Sequence, residues 1–199
     1  MRGLFVTFEG IDRSGKTTQA GLLVDALGEG ALGVREPGGT AAGERVRELL
    51  KDPNVHLAPE SEALLFAAAR SELVAEVILP ALQKGRVVVS DRFLDSSLAY
   101  QGGARGLGIE DVERVNTFAT RGLKPDLTLL LDLPPADAAG RAGESDRFED
   151  EGKELQEAVG AAYEHLMEAD PERWRRIDAS RSPDEVHADV LTAVKEARG

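Results

Sequence analysis

Short continuous apolar runs alternate with longer segments of helical period along almost the whole chain. Segments 4–8, 86–90 and 127–131 read as strands, and Val87-Val88-Val89 and Leu129-Leu130-Leu131 lack polar alternation, as strands covered on both faces do. A short strand ends near Arg35 and a weaker one spans 174–177. The spacing predicts helices over about 16–27, 43–50, 60–82, 155–167 and from Pro183, with further helical turns before Arg121 and around Ala136. Strands separated by helices imply right-handed crossovers, hence a parallel central sheet with helices on both faces and ligands at the strands' carboxyl ends.

Two segments depart from this rhythm. Within 60–82, Leu64, Leu65, Phe66, Leu73, Val74, Val77, Ile78 and Leu79 cover more than one helix face, so this helix is either central to the fold or buried in a subunit contact. Segment 138–152 has small and charged residues, three glycines and no strong apolar period. It reads as a mobile surface loop between helices, a short lid at about 141–152.

The chain has 199 residues, a length that suits a single domain, 1–199, with a sizeable core. Without cysteine, disulfides, thiolate metal sites and thiol nucleophiles are excluded. No apolar run approaches the ~20 residues of a membrane span, and the first one feeds straight into a glycine loop, so it reads as core strand and not as a signal. A cytoplasmic protein with no membrane partner is expected. The net charge of −12 argues against wrapping a nucleic-acid backbone. Positive charge is nonetheless present, as 18 arginines and six lysines, and its placement decides its use.

Gly10-Ile11-Asp12-Arg13-Ser14-Gly15-Lys16-Thr17 follows a predicted strand and opens a predicted helix, the setting in which a glycine loop cradles phosphates. Backbone N–H groups turn inward, Lys16 reaches the β- and γ-phosphates, and Thr17 offers a hydroxyl to Mg²⁺. A nucleoside triphosphate follows, on the three-layer α/β fold of P-loop NTPases. An Asn-Lys-x-Asp motif for guanine is missing; Lys124-Pro125-Asp126 lacks the Asn. A motor or transporter ATPase would need far more chain than 199 residues, which leaves a small-molecule kinase.

Further groups stand where strands end or helices face the sheet: Arg35 before Glu36-Pro37-Gly38-Gly39-Thr40, Phe66 and Arg70 on one helix face, and Asp91-Arg92 followed by Ser96, Ser97, Tyr100 and Gln101. Arg141 and Asp146-Arg147-Phe148-Glu149 lie in or beside the lid. His56, His165 and His187 have no ligand spacing, and Glu44, Arg45, Arg47 and Glu48 read as a solvated helix face.

Taken in order, Phe8 to Gln19, R-E-P-G-G-T (35–40), L-F-A-A-A-R (65–70), D-R-F-L-D-S-S-L-A-Y-Q-G (91–102), P-D-L-T-L-L-L-D (125–132) and D-R-F-E (146–149) resemble the motifs of the thymidylate kinases. The resemblance covers essentially the whole chain. It implies transfer of a phosphoryl group from Mg-ATP to thymidine 5′-monophosphate by a homodimer, a step toward dTTP. By the same resemblance, Arg35 and Arg92 hold the acceptor phosphate, Phe66 stacks on thymine, Arg70 and Gln101 bond its edge, and Ser97 and Tyr100 line the sugar and base pocket. Asp12 takes the 3′-hydroxyl or organises metal and acceptor phosphate. Thr17 and Asp91 serve Mg²⁺, while Thr18, Arg141, Ser180 and Arg181 border ATP with the loop residues. Ser180 and Arg181 have an equal alternative as part of a helix cap at Ser182-Pro183-Asp184-Glu185.

The acceptor phosphate ionises with a second pKa near ~6, so no general base is needed. Catalysis is then charge neutralisation by Lys16, Mg²⁺ and arginines, with Arg13 expected to contribute and Arg147 to close over the phosphates. Members usually bring the critical arginine from the loop or from the lid, and this chain has one in each. Ala69 is a second departure, where relatives often carry a polar residue. Two rivals stay open from residues alone: a kinase of another nucleotide or nucleoside, and an ATP-binding regulatory module.

Overall fold

The computed structural model describes residues 2–141 and 152–198. Five parallel strands, β1 (Phe5–Glu9), β2 (Ala31–Arg35), β3 (Val87–Asp91), β4 (Leu127–Asp132) and β5 (Trp174–Asp178), form one sheet in the order β2-β3-β1-β4-β5. The strands begin and end within a residue or so of the apolar runs. β1, β3 and β4 are buried along nearly their whole length because helices cover both sides.

Helix α1 (Lys16–Leu27) carries the chain from β1 outward to β2. It packs on β1, β2 and β3 and against α9 (Pro183–Arg198), which lies on β4 and β5. The return from β2 to β3 runs through α2 (Ala41–Lys51), α3 (Pro59–Leu73), a widened π-helical turn (Val74–Ile78) and α4 (Leu79–Gln83). After β3 come α5 (Leu94–Ser97), a second π-helical turn (Leu98–Ala104) and α6 (Ile109–Thr120); after β4 come α7 (Pro135–Ala139) and α8 (Gly152–Ala169). Because β1→β2 and β2→β3 travel in opposite directions along the sheet, right-handed crossovers place their helices on opposite faces. This is the three-layer P-loop NTPase architecture.

The segment expected as one helix over 60–82 is α3, a π turn and α4 in succession. Its excess of apolar positions is mostly core: Leu73, Val74 and Ile78 are fully buried and Leu82 nearly so, whereas Leu64 is 57% exposed. Neither π turn is visible to a 3.6-residue period. The expected lid, apart from its end residues Arg141 and Gly152, and with it Arg147, lies outside the described residues.

The functional crevice follows from topology. Adjacent strands β1 and β3 send their following segments to opposite faces, so a cleft opens between their carboxyl ends. In the register Phe8 pairs with Asp91, and Arg35 pairs with Asp91 from the other side.

Candidate active site

The loop after β1 turns sharply over the sheet. Gly10 has φ 140°, and a Cβ there would stand 2.7 Å from the Leu131 carbonyl, so no larger residue fits. Lys16, first residue of α1, is buried and bends back to donate to the Gly10 carbonyl at 3.1 Å, the Ile11 carbonyl at 2.6 Å and Ser14 Oγ at 3.3 Å. Burial, and then the charge of Arg92, push its ammonium down to about 8 against the pull of Asp12, Asp91 and Glu9. A buried, pre-oriented ammonium at the mouth of a helix N-terminus has the charge and position that suit an anion.

Two cavities meet on this loop. One, of about 410 Å³, lies between the loop and the ends of β2, β3 and α3; Phe66, Arg70, Arg35, Arg92, Tyr100 and Gln101 are on its wall, with Asp12, Asp91 and Ser97. The other, of about 520 Å³, runs from Ser14, Gly15 and Thr18 to Arg141, Arg181 and Pro183. Arg13, Lys16 and Thr17 line both. Gly10 and Ile11 line neither of these two cavities and supply carbonyl support to Lys16.

Arg92 is the hub of the first cavity. It sits at φ 69°, which turns its guanidinium back over β1. It ion-pairs with Asp12, donates to Ser96 Oγ at 3.0 Å and to the Tyr100 hydroxyl at 3.3 Å, and lies 5.1 Å above the Tyr100 ring. Burial opposes ionisation of Asp12, yet Arg92, Lys16 and the Gln156 amide together hold its carboxyl below the usual range. Gln156, on α8, accepts from the Asp12 backbone N–H at 3.1 Å and donates to its carboxylate at 2.9 Å.

Arg70 is fully buried and donates to Glu36 at 2.8 Å, Ser97 at 3.0 Å, the Phe93 carbonyl at 3.1 Å and Asn116. Four partners hold its fork in one plane at the cavity wall. Arg35 is half exposed and pairs with Glu44 at 3.2 Å. Thr17 donates to Asp91 at 2.6 Å, which sets a hydroxyl and a carboxylate oxygen side by side where the cavities join. Among the described residues no cluster of three or more His, Cys, Asp or Glu could cage a metal. A magnesium ion that keeps several waters and takes its remaining ligands from substrate phosphates fits this sparse pair.

On the second cavity, Arg141 donates to the Ala179 carbonyl at 2.6 Å and to the Ser14 carbonyl at 3.4 Å, bridging the loop to the end of β5. Arg13, at φ 61°, donates to the Arg141 carbonyl at 3.3 Å. Arg181 lines the cavity and ion-pairs with Asp189. Ser180 does not line it; its hydroxyl donates to Asp178 at 2.6 Å. Ser182 and Glu185 do form the capping box that the sequence suggested.

Several site residues escape sequence reasoning. Arg47 and Lys51, on α2, line the first cavity, and Arg47 donates to the Pro37 carbonyl at 2.9 Å, so that helix face is not simply solvated. Glu9 is wholly buried, accepting from the Phe93 N–H at 2.9 Å, Ser96 at 2.6 Å and Tyr163 at 2.8 Å. Burial, then Asp95, push its carboxyl up to about 7 against these bonds and Arg92. The one available signal was a lone carboxylate closing a strand that is apolar apart from Thr7.

Comparison with known proteins agrees with this geometry. The Thymidylate kinase family model matches residues 8–190. A thymidylate kinase of Pelotomaculum thermopropionicum is 50% identical over 204 residues, covering 98% of this chain and 94% of the relative. One of Thermoanaerobacter sp. (strain X514) is 46% identical over 201 residues, covering 98% and 99%. The crystal structure of thymidylate kinase from Ehrlichia chaffeensis superposes with a TM-score of 0.82 at 31% identity, covering 98% of this chain and all of that one. The loop at the β1–β3 cleft, the two cavities that share it and these relatives lead to one conclusion: the chain belongs to the thymidylate kinase family and is an enzyme.

Proposed function

We propose that the chain transfers the γ-phosphoryl group of Mg-ATP to thymidine 5′-monophosphate, yielding the diphosphate used toward dTTP. Family membership supports dTMP phosphorylation, and the observation that carries the two-substrate reading is the wall of Arg13, Lys16 and Thr17 common to both cavities. ATP takes the cavity of Arg141 and Arg181, and dTMP takes the cavity of Phe66 and Arg70.

In this reading Arg35 and Arg92 clamp the acceptor phosphate, with Arg47 and Lys51 adding positive charge at its mouth. Phe66, Arg70 and Gln101 read the base, with Ser97 and Tyr100 beside it. Thr17 and Asp91 hold Mg²⁺, which, when bound, screens the negative charge that builds on the phosphates. The acceptor phosphate, with a second pKa near ~6, is already an anion at neutral pH and attacks without a general base. Asp12 restrains Arg92, and Lys16 with Arg13 neutralises charge on the transferring group.

A nucleoside acceptor would need a base at its hydroxyl and would bring no phosphate to the four cationic side chains, Arg35, Arg47, Lys51 and Arg92, at the cavity. Measuring ADP formation with each common nucleoside and monophosphate tests the assignment. dTMP should give the highest kcat/KM, and a nucleoside preference would refute it.

A cytoplasmic homodimer completes the proposal. Leu64 on α3 and Phe118 on α6 are 57% and 89% exposed, and their helices pack together. Burying both in a two-fold contact would remove apolar surface from water. A monomer mass that holds at all concentrations would refute the dimer. Among the described residues no helix is long and apolar enough to cross a membrane.

A further inference from the structure

The base-reading wall is oriented from behind. Glu62, Phe66 and Arg70 recur every four residues on α3 and so share one face. Phe66 and Arg70 line the first cavity, whereas Glu62 does not, being 2% exposed. Its carboxylate accepts from Gln101 Nε2 at 3.0 Å and from Arg105 at 3.2 Å and 3.3 Å. Gln101 lines the cavity, and its buried Oε1 has no hydrogen-bond partner among the described residues.

A side-chain amide is two-faced: a half turn about its last bond exchanges donor and acceptor. A carboxylate paired with a guanidinium offers acceptors alone. Gln101 therefore bonds Glu62 in one orientation only. The reverse would oppose two acceptors in a buried place, at the cost of a lost hydrogen bond and an unsatisfied group.

We propose that Glu62 is a specificity-positioning residue. By fixing the Gln101 amide it presents an acceptor, and no donor, to the ring edge of the bound base. Thymine and uracil carry N3–H at that edge and satisfy it. Cytosine carries a lone pair there and faces two acceptors in opposition, while the all-donor Arg70 suits a carbonyl at the neighbouring ring position and disfavours an amino group. The device selects N3–H pyrimidines over cytosine and is blind to the 5-methyl group. It rests on the reading that Gln101 contacts the base.

The test is steady-state kinetics with dTMP, dUMP and dCMP for the parent enzyme, Glu62→Gln and Gln101→Leu. A glutamine at 62 donates or accepts, so Gln101 gains both orientations. The dTMP:dCMP ratio of kcat/KM should then fall by roughly tenfold or more, mainly through KM for dTMP, as for one misdirected buried hydrogen bond. The dTMP:dUMP ratio should hold, which general damage to the pocket would not predict. If Glu62→Gln does not fold, Glu62→Met also frees the amide and should give the same pattern. An unchanged dTMP:dCMP ratio in the folded variant, with Gln101→Leu still raising KM for dTMP, overturns the role of Glu62 alone. Unchanged dTMP kinetics in Gln101→Leu overturn the base-reading assignment and this inference with it.

Discussion

The hydroxyl of Thr17 donates to the carboxylate of Asp91 at 2.6 Å, joining the first turn of α1 to the carboxyl end of β3. Neither residue can move away without the other losing its partner, and together they face the junction of the two cavities.

Asp91→Asn should therefore raise the Mg²⁺ concentration for half-maximal turnover by ~10- to 100-fold, the usual cost of disturbing a metal site's support. A magnesium titration of turnover at saturating ATP and dTMP checks this. An unshifted midpoint would remove Asp91 from the metal assignment.

Arg13 lines both cavities and is held by the Arg141 carbonyl. Arg13→Ala should lower kcat by ~10³ while KM for either substrate changes little, because an arginine aimed at the moving phosphoryl group acts in the transition state. Arg147→Ala, measured alongside, should cost less. An Arg13 variant with near-normal kcat transfers the decisive charge to Arg147.

Lys16 should take up protons when ATP arrives. Its ammonium titrates at about 8 in the free enzyme, and a bound polyphosphate raises that value by direct attraction. At pH 8 roughly half of the chains begin with Lys16 neutral, so binding a non-hydrolysable ATP analogue should absorb about half a proton, with less uptake as the pH falls. Calorimetry in buffers of different ionisation enthalpy reads this number. Zero uptake at pH 8 would contradict the coupling.

Glu9 makes the opposite statement about stability. Its carboxyl titrates near 4.5 when unfolded and about 7 when folded. The stabilisation from keeping its proton is full below 4.5 and is lost as pH rises through 7. Glu9→Gln keeps a carbonyl for the Phe93 N–H and offers N–H groups to Ser96 and Tyr163, without that titration. Relative to it, the parent enzyme should lose about 2 kcal/mol between pH 5 and pH 8 in urea unfolding. Parallel pH profiles would refute the raised value.

Much of this was legible in the residues themselves. Glycine spacing gave the loop, continuous apolar runs gave the central strands, and Phe66–Arg70 spacing gave one face of α3. These are local patterns, and the backbone reports them within a few residues. Glu9, Gln156, Asn116 and Tyr163 were illegible because packing brings them to Asp12, Arg92 and Arg70 from segments far apart in the chain, and an isolated polar residue carries no period. Arg47 was misread for a related reason: a charged helix position looks solvated until the cavity it borders is known. Strand order was likewise not derivable from alternation alone, yet it is what sets β3 beside β1 and brings Asp91 to Thr17.

Arg13 and Arg92 share one trait: each holds a left-handed backbone that suits glycine far better than a side chain. Glycine at either place would relax the loop and remove the guanidinium at once, so the mutants that fold most comfortably should include some of the least active. A search for thermostable variants of this enzyme that scores melting temperature alone is liable to drift toward those two positions. Screening must read turnover in the same assay, because at these two residues the backbone and the chemistry ask for different amino acids.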